Sequence, residues 1–174
     1  DRRHNREEFV FGRKNGGGVG NSCVSNGKKL VDSYIYQYLS KENMDIVREF
    51  GIEPFEMTVQ SLERTFADKV FAICDYYMEG KVKRHSRHIY DLYMLLPKII
   101  LDDAYRELVA EIRNHRARMS ICPSAQPGVD VSELLKEIIT KEIYRADYKE
   151  ITTYFQNHPL EYEKAISAIR TIAE

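Results

Sequence analysis

Tryptophan is missing from this chain, and in 174 residues there are only three cysteines and five prolines. Cys23, Cys74 and Cys122 are odd in number, far apart and without metal-ligand spacing. That pattern excludes a disulfide-stapled secreted domain. It points to a reducing, cytoplasmic setting, with Cys74 as a small core residue. No signal peptide is visible, and no apolar run is long enough to span a bilayer. Charge of one sign is scarce too: 26 Lys and Arg stand against 27 Asp and Glu, a net charge of −1. No overall field draws such a chain to nucleic acid or membrane, so any phosphate binding must come from local basic clusters.

Two phosphate motifs are missing as well. The run Gly16-Gly17-Gly18-Val19-Gly20 invites a phosphate-loop reading, but Ser22 stands where the first glycine of G-x-x-x-x-G-K-[ST] belongs, and Lys29 follows Gly27-Lys28. The dinucleotide pattern G-x-G-x-x-G fails at Cys23. These glycines, with Asn26-Gly27, read as flexible loop and turn. His85 and His88 are three apart, but no acidic or cysteine partner follows at ligand spacing, so no metal site is expected from them.

What is present suits one good core: 43% of residues are hydrophobic and 30% charged. The expected fold class is α+β and predominantly α-helical, a helical bundle with one or a few short strands in the N-terminal third. Residues 1–60 read as an N-terminal segment with a Gly-rich loop, helices and a strand, and 61–174 as a helical domain. Glu8 to Phe11 could form a short strand. Lys28 to Leu39 reads as a helix with Leu30, Ile35 and Tyr38 inward, and Ser40 as the cap of a second helix through Phe50, closed by Gly51. In Glu53 to Gln60, Phe55, Met57 and Val59 alternate with polar neighbours, the period of a half-buried strand. A lone strand needs partners, either upstream in residues 1–29 or in another copy of the chain, so self-association is open.

The chain is organised around Ser61 to Leu96. Leu62, Phe66, Val70, Ile73 and Tyr77 line one face of a helix that Gly80 can stop. Lys69 falls beside that stripe, with Thr65 and Tyr76 on the same flank. It either snorkels to water or serves a site. A second helix is expected from Ser86, as N-cap, to about Leu96, before Pro97. Asp91 on that helix either makes a surface i,i+4 pair with Arg87 or lines a second packed surface with Met94 and Leu95. The connector Lys81-Val82-Lys83-Arg84-His85-Ser86-Arg87-His88 is a basic turn, open to a solvated reading or to a polyphosphate or RNA one.

Further along, Tyr105, Leu108, Val109 and Ile112 mark a helix starting at Asp102 or Asp103. It ends in the basic run Arg113 to Arg118, which a helix C-terminus favours electrostatically. Ser120 to Gly128 is a loop, either lid or connection. Asp130 and Glu133 resemble a capping box for a helix through about Tyr144 with Leu134, Leu135, Ile138 and Ile139 as core. Asp147 is expected to cap another helix, ending before Pro159, and Leu160, Ile166 and Ile169 face inward on the last one.

Arg64, Thr65, Phe66 and Lys69, then Ser86, Arg87, His88, Tyr90, Asp91 and Leu92, spell R-T-F-x-x-K followed by S-R-H-x-Y-D-L. This pair of motifs resembles the AbiEii/AbiGii family of nucleotidyltransferase toxins, more weakly from about Phe55 to the C-terminus. The resemblance implies the later, mostly helical part of a nucleotidyltransferase fold. It implies transfer of a nucleotide from an NTP, with a divalent metal such as Mg²⁺, to an RNA (tRNA among them) or protein acceptor. A role in toxin–antitoxin and phage-defence systems, with a cognate antitoxin, follows from it too. By resemblance Lys69 contacts the NTP phosphates, Asp91 is the later acidic residue of the site, and Arg64, Arg87, Lys83 and Arg84 are candidate substrate contacts.

The family's Gly-Ser…Asp-x-Asp motif, whose paired carboxylates would hold Mg²⁺, is absent from the sequence. Asp102-Asp103 are adjacent, and Gly20-Asn21-Ser22 is followed by no acidic pair. With a first residue of Asp1 rather than Met, this reads as the C-terminal part of a longer protein, inactive alone. The alternative is a non-catalytic helical module binding nucleotide, RNA or protein.

Overall fold

A computed structural model describes residues 26–155 and 159–174. The readings of Glu8–Phe11, the Gly16–Gly20 run and Cys23 lie outside these residues. Strand β1 (Asn26–Val31) pairs antiparallel with β2 (Phe55–Gln60), in register from Asn26 opposite Gln60 to Val31 opposite Phe55. The partner that β2 required is therefore upstream in the same chain. Between the strands lie α1 (Tyr34–Glu42) and α2 (Met44–Glu49).

Here the sequence reading needs correction. Residues 28–31 are strand rather than helix, because pairing with β2 satisfies backbone groups that an isolated β2 would leave open. Asn26-Gly27, read as a turn, opens that strand. Helix α1 begins only after Ser33, whose hydroxyl accepts the Tyr36 amide. Leu30, Ile35 and Tyr38 face outward, at 73%, 62% and 68% exposure. Ser40 lies inside α1, and Asn43 caps α2 by accepting from the Asp45 and Ile46 amides. Gly51 does close that turn, at φ +59°.

The helical body is built on α3 (Leu62–Met78), capped by Ser61 through the Arg64 amide. Two of its faces are apolar. Phe66, Val70 and Ile73 pack with Ile89 and Leu92 of α4 (Arg87–Leu95), Leu135 and Ile138 of α6 (Val131–Lys141), and Ile169 of α9 (Ser167–Ala173). Ala67 and Phe71 pack instead with Leu108 and Ile112 of α5 (Asp103–Arg116) and with Cys122 and Ala125. As expected, Asp102 caps α5 and Asp130 caps α6, and Cys74 is fully buried. Two short helices, α7 (Arg145–Glu150) and α8 (Tyr162–Ala165), complete the described residues. The fold is thus α+β and mostly helical, with one two-stranded sheet among the described residues. None of its described helices is long and apolar enough to cross a membrane.

One expectation about a cap changes, and the basic run, which does fall in the last turn of α5, gains specific partners. Asp147 does not cap the helix that follows it; it lies within α7, buried, and serves a different element. The basic run at the end of α5 is largely absorbed by packing. Arg116 donates to Asp68 at 3.1 Å and to the buried Asp75 at 2.8 Å, while Arg113 donates to the carbonyls of Ala125, Gln126 and Val129. Asp75 also accepts from the Ser124 amide (2.8 Å) and hydroxyl (2.6 Å), which pins the 120–128 loop onto α3.

Asp75→Ala strips partners from a half-buried arginine and a buried serine, and it is expected to cost about 3 kcal/mol in urea unfolding. Asp103→Ala, removing an exposed pair with Arg106, should cost under about 0.5 kcal/mol. Equal costs would contradict this account of the loop.

Candidate functional site

Helices α3 and α4 pack side by side, and their outer flanks meet at one ion pair. Lys69 Nζ donates to Asp91 Oδ2 at 2.6 Å. Asp91 thus takes Lys69, not Arg87, as partner. The two side chains are 25% and 34% exposed, so the pair borders solvent rather than sealing the core. At that exposure it contributes no more than about 1 kcal/mol to stability. An ammonium has three N–H donors, and Asp91 engages one, which leaves Lys69 able to hold another anion without releasing its partner.

One flank of this pair is a stack of rings. Tyr76, two turns along α3 from Lys69, lies 3.5 Å from the ring of His85 and 5.8 Å from that of His88, with interplanar angles of 18° and 10°. Both Nδ1 and Nε2 of His88 are buried with no hydrogen-bond partner among the described residues. Burial, then the Lys69 ammonium, push the His88 pKa down to about 4, against a smaller opposing pull from Asp91. Burial, then Arg87, lower His85 also. The imidazole beside the ion pair is therefore neutral at pH 7 and adds no charge to it. The motif reading named His88 without giving it a part in the site, and it placed Tyr76 on the Lys69 flank. The stacking itself was missed, although the His85–His88 spacing was its signal.

The connector places its cations at the end of the helix pair where α3 gives way to α4. Lys83, Arg84 and Arg87 are exposed side chains in and just after the turn. Arg64 is different. It lies five residues before Lys69, about 140° round α3, and pairs with Asp68 at 3.8 Å on the side that Arg116 also reaches. The structure joins Lys69 to Asp91 and sets Arg64 apart from them. Ser86 occupies the N-cap position of α4, but its side chain makes no capping bond. Its hydroxyl instead lies 2.6 Å from that of Thr152.

A divalent cation needs several oxygen ligands around one point. The described residues contain no group of three or more acidic, histidine or cysteine side chains that could hold one, and the Asp91 carboxylate is already engaged by Lys69. They do not by themselves fit Mg²⁺.

A solvent-bordering lysine–aspartate pair on a helix hairpin with a basic turn has unused N–H donors that can meet an anion. The family model of the nucleotidyl transferase AbiEii toxin, from type IV toxin–antitoxin systems, matches residues 30–170, and the chain belongs to that family. No curated protein and no solved structure matches it.

The His88 shift carries a pH signature. Above pH 6.5 both folded and unfolded chains hold the ring neutral. Below it the unfolded chain takes up a proton that the folded one refuses until about pH 4. Stability is therefore expected to fall as pH drops from 6.5 to 4, by about 3 kcal/mol from this residue, and to level off below. His88→Phe should remove that slope in urea unfolding. An NMR titration of His88 centred near 6.5 would contradict the assignment.

Proposed function

We propose that this chain acts in a nucleotidyltransferase toxin, with Lys69 binding the phosphates of an NTP and Asp91 holding Lys69 in place. The observation that carries this reading is the 2.6 Å Lys69–Asp91 pair at a solvent border, which joins the two residues chosen from the motif resemblance in a chain of this family. A pair of that exposure contributes little to stability, so a structural role leaves its placement without a reason. Lys83, Arg84 and Arg87 form the surrounding positive field that draws a polyphosphate in, and Arg64 orients α3 through Asp68. RNA or protein is the acceptor, an antitoxin the partner, and the cytoplasm the setting. Mg²⁺ belongs to the reaction through the family, with its carboxylates supplied from outside the described residues.

A second reading has its own support. The described residues lack a metal-binding carboxylate cluster, which favours a module that binds nucleotide, RNA or protein without transfer.

Transfer from each of the four α-labelled ribonucleoside triphosphates, with Mg²⁺, separates the two. Lys69→Ala is expected to lower transfer by about 100-fold or more, with a stability change within about 1 kcal/mol. Arg64→Ala should lower transfer clearly less. Equal losses would refute the ranking of these residues. Nucleotide binding without metal and without transfer would establish the module.

A further inference from the structure

The N-terminus of α4 is held by a residue about sixty positions downstream. The Arg84 and Ser86 amides donate to the two carboxylate oxygens of Asp147, at 2.7 and 3.1 Å. Arg84 takes φ +69°, a left-handed conformation that an arginine keeps only where its surroundings hold it. Such a turn aims nearby amides at one anion, and here the anion comes from the chain itself. Ser86, fully buried, completes the hold through the hydroxyl of Thr152. Asp147 is buried, and each of its two carboxylate oxygens accepts from a main-chain amide.

We infer that Asp147 is a positioning residue for the Lys69–Asp91 site, a latch that fixes the connector and with it the rotation and height of α4. Three consequences follow from the latch. It orients the stretch that stacks His85 and His88 on Tyr76. It sets Ser86, and so places Asp91 on the next turn and a half of helix against Lys69. It also occupies the main-chain amides of the turn, so that the exposed side chains of Lys83, Arg84 and Arg87, rather than the backbone, are what the turn offers to an incoming anion. The latch stands on hydrogen bonds alone; its consequence for nucleotide binding rests on the function proposed above.

Asp147→Asn tests it. The amide side chain can accept one backbone N–H, but its own NH₂ meets the other. Hydrogen exchange at the Arg84 and Ser86 amides, followed by NMR in the full chain, is expected to quicken at least tenfold or so relative to α9 amides. Asp147→Glu, which keeps the charge one methylene further out, should give an intermediate acceleration, and it decides the matter if the asparagine variant does not fold. Affinity for whichever of the four ribonucleoside triphosphates the unaltered protein binds should fall several-fold in the same variants. Asp130→Ala, which removes the cap of α6, serves as the comparison for general destabilisation. It should leave both the two amides and the nucleotide affinity as they are. Wild-type exchange in a folded Asp147 variant would overturn the latch, and so would the same acceleration in Asp130→Ala. If the exchange changes while the unaltered protein binds no nucleotide, the latch stands and the proposed function falls.

Discussion

The fold depends on α3 having two apolar faces rather than one. A helix with a single stripe lies on the surface of a core; α3 runs between two cores, and α4, α5, α6 and α9 are placed by which of them they fill. Phe66, Val70 and Ile73 gather α4, α6 and α9, whereas Ala67 and Phe71 gather α5 and the loop at Cys122 and Ala125. Burying both faces leaves only a narrow flank of α3 near water, and Lys69 and Tyr76 lie there. The candidate functional surface is thus what remains after packing has taken the rest of the helix.

Polar chemistry within this body follows burial. Asp75, Ser124 and Asp147 are all buried, and each has several hydrogen-bond partners: Asp75 holds Arg116 and Ser124, and Asp147 holds two backbone amides. Buried and fully satisfied groups of this kind specify one arrangement among many similar hydrophobic packings. The Lys69–Asp91 pair differs from them in bordering solvent. That contrast separates the groups that hold the body together from the pair that can meet a ligand.

Much of this was legible in the residues. The stripe on α3, the caps at Asp102 and Asp130, the glycine stops and the buried positions of α6 follow from local rules of spacing and capping, and the structure keeps them. Lys69 and Asp91 could be named from motifs, but their contact spans 22 positions and needed the packing of α3 on α4 to appear. The errors share a cause. Residues 28–31 carry a helical spacing that strand pairing across the intervening α1 and α2 overrides. Ser86 and Asp147 look like local caps, yet one bonds Thr152 and the other bonds the connector, each more than sixty positions away. Local propensity identifies which groups want partners; it does not reveal partners that only the fold brings near.

In the N-terminal unit, the described residues from 27 to 60 include one buried side chain, Val47, while Leu30, Tyr34, Ile35, Phe50 and Phe55 are exposed. Most burial in the described chain therefore belongs to the helices from α3 onward, where the candidate site lies. The central claim is that Lys69 is a phosphate ligand and not a structural lysine. The most direct measurement is the rate at which an amine-acylating reagent modifies Lys69, followed by peptide mass spectrometry with and without each ribonucleoside triphosphate. The account predicts that at least one triphosphate slows modification of Lys69 while leaving Lys28 and Lys136 unaffected. Lys69 modified at the same rate whichever triphosphate is present would contradict it.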